Sequence, residues 1–182
     1  MHSSLTELLH DWHDFYILVG TASATLVGLM FVAASIGASV FNEENRPGME
    51  AFITPTVVHF AAVLFSCFLV TIPTQGWRTL GGLLAAGGLA GTIYCGRILV
   101  QIVIGRRFNL DLSDRLFYAL LPLFGYLLAV AAAVLLIMQS AASANLIAAA
   151  LLTLLAAAIR NAWDMMLWIV IKAPSGREPP PP

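Results

Sequence analysis

Five long apolar runs, joined by short polar links, take up most of this chain. A run of about 20 predominantly apolar residues crosses the hydrocarbon core of a bilayer as an α-helix. In that solvent every backbone polar group must find a partner inside the protein, which makes such a run helical. The expected fold is an all-α integral membrane protein, a five-span transmembrane helical bundle. The spans are placed at about 17–41, 52–72, 80–104, 116–138 and 145–171, in a single bundle covering 1–172. Five spans use about 100 residues. The rest of the 182 is taken by links and tails, with no room for a separate soluble domain.

The charge content agrees. Only 10% of residues are charged, against about 25% in a soluble domain, too few to cover a water-facing surface. The net charge of -1 offers no basic footprint for nucleic acid. Cys67 and Cys95 fall inside apolar runs and read as small buried hydrophobes. The first residues lack the basic region of a cleavable signal peptide.

Ahead of the first span, Ser3 to Tyr16 reads as a short N-terminal interfacial amphipathic helix. Leu5, Leu8, Leu9, Trp12 and Tyr16 share one face, and Glu7, His10, Asp11, His13 and Asp14 the other. Ser4 and Glu7 have capping-box spacing. Ser113 is the expected N-cap of span 4, and Pro122 a possible kink within it. Aromatic belts are expected at Trp12, Tyr16 and Trp77 on one side, and at Phe108, Tyr118, Trp163 and Trp168 on the other. The tail, 173–182, ends in four prolines and reads as a disordered Pro-rich cytoplasmic segment.

Orientation follows from the basic residues. Five spans put the termini on opposite sides. One side holds Arg46, Arg106, Arg107, Arg115, Lys172 and Arg177, and the other only Arg78. The positive-inside rule then places the N-terminus outside and the C-terminus in the cytoplasm, in a bacterial-type inner membrane.

Small residues suggest how the helices meet. Gly20, Ala24 and Gly28 lie four apart in span 1. In span 3, Gly82, Ala86 and Ala90 form one strip, and Gly87, Gly91 and Cys95 another. Lipid tails supply little hydrophobic drive between helices, so close backbone approach and dispersion must do the work. These strips are expected to pack within one chain.

The polar residues inside spans are few. His59, Arg97, Arg160, Asn161 and Asp164 all fall toward the cytoplasmic half. Arg160 and Asp164 are four apart and can pair along one helix face. An ionisable group inside a span faces the bundle interior or a water-filled cavity. The five could form a polar layer lining a cytoplasm-facing vestibule that handles an anion or a proton. In the alternative reading Arg97 snorkels to the interface, Arg160 and Asp164 neutralise each other and fix helix rotation, and His59 is a neutral, hydrogen-bonded packing residue. His10, His13 and Asp14 are candidate metal ligands, but the other links on that side offer no further ligand. A zinc site needs three or four. No phosphate loop, nucleophile elbow or CxxC pair occurs, and no cofactor is expected. Two functions fit. One is a non-enzymatic self-associating or accessory/regulatory subunit, with the lipid bilayer and a homo-oligomer or larger membrane complex as its partners. The other is a small homo-oligomeric channel or transporter using the polar layer.

Overall fold

The computed structural model describes residues 5–36, 46–72, 76–104 and 116–172. Nearly all of these are helical, and five helices are long and apolar enough to cross a membrane. The elements are α1 (Leu5–Asp11), α2 (His13–Ile36), α3 (Arg46–Thr71), α4 (Trp77–Ile104), one π-helical turn (Leu116–Leu120), α5 (Leu121–Ile137) and α6 (Ala142–Lys172). The expected caps Ser4 and Ser113, the link 42–45 and the tail 173–182 lie outside the described residues.

The sequence pattern explains these lengths. Each of α2 to α6 contains a window apolar enough, by length and composition, to cross a membrane. Breaks come where backbone chemistry forces them. Pro122 sits in the first turn of α5, directly after the π turn, where Leu120 keeps helical backbone angles. The preceding π turn is the irregularity found where the chain enters that position. At its other end α5 closes with Gln139 in the left-handed region, φ 58°. The Gln139 amide donates to the Leu136 carbonyl at 2.9 Å, and the Ser140 amide to that of Leu135 at 2.9 Å. This is the Schellman pattern, and it turns the chain into α6 within four residues.

The helices pack in the lateral order α2, α3, α6, α5, α4. The last helix is thus the centre of the bundle. Half of its apolar window is buried, against 22% to 39% in the other four. The core lies along it in two parts. Near the end carrying α1, Tyr16, Val63, Cys67, Leu80, Leu136 and Leu151 belong to one cluster. Toward the far end, Met30, Phe60, Ala158 and Met165 form a second. Helices α3 and α4 are neighbours in sequence but barely touch. A cleft of about 130 Å³ remains between them, with Ala62, Ser66, Leu83, Gly87, Ala150 and Leu154 among its lining residues.

The N-terminal segment departs from expectation. The helix breaks at Trp12, and the first long helix begins at His13. Leu8 is buried, and Leu9 and Trp12 pack against the core. Tyr16, expected in an interfacial belt, is 1% exposed. Its ring belongs to the core cluster that includes Val19, Val63 and Cys67. Tyr118, expected in the opposite belt, is also buried, whereas Trp163 is 63% exposed.

Candidate functional site

His59 lies mid-way along α3, on the face that also carries Thr56, Phe60, Val63 and Cys67. All five are buried, and their i, i+3, i+4 spacing accounts for it. The His59 ring is fully buried, and its Nδ1 lies 3.0 Å from the Tyr126 hydroxyl of α5. The two ring centroids are 5.6 Å apart, and the Tyr94 ring of α4 stands edge-on to His59 at 6.5 Å. Three helices therefore meet around one imidazole.

Glycine makes this meeting possible. A Cβ on Gly91 would lie 2.2 Å from the Tyr126 ring, so only a residue without a side chain lets that ring lie against α4. The same α4 face continues through Gly88, against Val130, and Gly81, against Ile137. On the far side of α5, Gly125 takes Leu154 of α6. On α2, Gly20 takes the Cβ of Cys67, and the Ser23 hydroxyl donates to the Phe60 carbonyl at 2.7 Å. Of the small residues singled out in the sequence, Gly20 and Gly91 thus sit at close helix contacts. Ala24, Gly28 and Gly87 do not pack inside the chain. Each is exposed, and a Cβ on Gly28 or Gly87 would meet nothing within 4 Å. The α4 contact strip runs one residue further along than expected, through Gly88. A single residue is about 100° of helix rotation, which carries Gly87 to the outer surface.

The five polar residues differ in burial. His59 and Asn161 are fully buried. Arg160 and Asp164 form an ion pair along α6, with side chains 38% and 24% exposed. Arg97 points to the outside of the bundle. His10, His13 and Asp14 are exposed, and among the described residues no group of three or more His, Cys, Asp or Glu is placed to hold a metal ion.

Within the interior, hydrogen bonding is incomplete. His59 Nε2 and both polar atoms of the Asn161 carboxamide meet no protein partner. If Tyr126 donates to Nδ1, Nε2 carries a proton to donate; in the other tautomer it must accept. An unsatisfied buried polar atom costs about 1–3 kcal/mol. Three together would cost about 3–9 kcal/mol, comparable with the whole stability of a typical domain, about 5–15 kcal/mol.

Sequence reasoning missed Tyr126, Tyr94, Ser23 and the glycines 81, 88 and 125. One signal was available for Tyr126. A tyrosine hydroxyl in the middle of an apolar run needs a partner, and His59 is the only histidine inside a span. No protein-family model matches the chain, and comparison with curated proteins and with solved structures gives no match.

Proposed function

We propose that the chain is a multi-pass protein of a bacterial-type inner membrane, with its N-terminus outside and its C-terminus cytoplasmic. In this reading it is a non-enzymatic subunit that associates laterally with copies of itself or with a larger membrane complex. Large apolar side chains on its outer surface, among them Leu18, Phe31, Ile36 and Phe65, suit contact with lipid. The observation that carries the association is the cleft between α3 and α4. Ala62, Ser66 and Gly87 on its walls leave room for another helix to approach closely. Close backbone approach is what drives helix association in lipid.

The test uses two differently tagged copies, co-expressed and reconstituted at low protein-to-lipid ratio. Capture on one tag should recover the other copy or a constant set of membrane subunits. Gly87→Phe should abolish capture while leaving the single chain as stable as before, because the added ring enters open space. Unchanged capture would remove the cleft from the interface. A second reading, a small channel or transporter, draws support from the unsatisfied polar atoms of His59 and Asn161 in the bundle interior. Ion and solute flux in liposomes, compared with His59→Phe, tests it; identical background flux for both proteins would dismiss it.

A further inference from the structure

Asn161 lies on α6 between Ala158 and Met165, both buried in one cluster with Phe60 of α3. Residues 158, 161 and 165 share one helix face. The Asn161 carboxamide is therefore on the α6 face that meets α3, where the neighbour of Phe60 is His59. Nε2 of that imidazole points away from the Nδ1 contact with Tyr126. His59 Nε2 and both polar atoms of the Asn161 carboxamide are buried and meet no protein partner.

We infer that His59 Nε2 and the Asn161 carboxamide face one enclosed site on the α3–α6 seam, and that this site binds water. The chemistry of the donor set selects the ligand. A carboxamide presents two N–H donors and a carbonyl acceptor, and Nε2 is one or the other by tautomer. An anion would serve only the donors, and a cation only the acceptors. One histidine and one amide fall short of a zinc ligand set. Water both donates and accepts, and buried waters typically make about three hydrogen bonds to such otherwise unsatisfied groups.

Along the seam the buried neighbours are apolar in both directions: Met30 and Met165 toward the far end, and Val63, Leu151 and Leu154 toward the other. The site belongs to a single copy of the chain, so it does not depend on lateral assembly.

The test is nuclear magnetic resonance of protein carrying ¹⁵N-labelled histidine, reconstituted in lipid nanodiscs. The chain has four histidines, and His59 is assigned by the signal lost in His59→Gln. The expected result is a magnetisation-transfer peak between water and the His59 Nε2 site. Asn161→Leu should weaken that peak at least twofold, while the Nδ1 signal bonded to Tyr126 stays in place. A wild-type spectrum with no water transfer, or with a direct contact between the imidazole and the Asn161 amide, would overturn the site without any variant. A peak indifferent to Asn161→Leu would separate the two residues.

Discussion

The most demanding prediction concerns Gly91. Substituting alanine places a methyl 2.2 Å from Cδ1 and Cε1 of Tyr126 and 2.6 Å from its Cγ. The ring cannot yield easily, because Tyr126 is only 3% exposed and its hydroxyl is held by His59. Forcing a methyl into a filled space costs about 1–3 kcal/mol. If the ring moves, the hydrogen bond goes too, at about 1 kcal/mol, with a further penalty for a stranded Nδ1. Against this, glycine to alanine gains about 1 kcal/mol in helix propensity. The net expectation is a loss of about 2–3 kcal/mol for Gly91→Ala. Gly87→Ala, one turn away on the same helix, gains the same propensity and meets nothing. It should be neutral or stabilising by up to about 1 kcal/mol. Equilibrium unfolding in mild detergent, run on both variants, measures the contrast. A double-mutant cycle adds a second check. Tyr126→Phe should be costly in the wild type and nearly free in the Gly91→Ala background. Equal stabilities for the two alanine variants would refute the packing of Tyr126 on α4.

Gln139→Gly should stabilise the chain by about 1 kcal/mol, since glycine carries no penalty in the left-handed position that closes α5; thermal unfolding reads this directly. Ser23→Ala should cost about 1 kcal/mol through loss of the bond to the Phe60 carbonyl, measured by denaturant unfolding. The Arg160–Asp164 pair is part-exposed, so a double-mutant cycle to leucine should give a coupling near 1 kcal/mol rather than the larger value of a sealed pair. Gly28→Leu enters open space and should leave the isolated chain within about 0.5 kcal/mol of wild type; a variant stable alone but defective in capture would mark that face as a contact with another chain.

The length of the apolar runs was enough to determine five helices, because backbone groups without water leave no alternative at that length. The ends of those helices were less legible. α2 begins at His13 and α3 at Arg46, each earlier than the apolar run itself, since polar residues can continue a helix that an apolar run has nucleated. Isolation in the sequence also marked His59 and Asn161 as residues that needed an interior, and both are buried. Arg97 carried the same mark and faces outward, because a long side chain can carry its charge along the surface to water.

What the sequence could not contain was rotation about each helix axis. In an amphipathic helix the polar face declares which side is buried; in α4 and α5 the outward and the core-facing positions draw on the same apolar residues. Gly87 and Gly88 are chemically identical neighbours, yet one opens to the surface and the other receives Val130. Only the packed partner distinguishes them. The tilt of Tyr126 across α4 selects Gly91 and Gly88 as the contact strip, and that selection then places the tyrosine hydroxyl on His59. A close contact between two helices depends on the rotation of both, so it is a property of the pair that neither helix encodes alone.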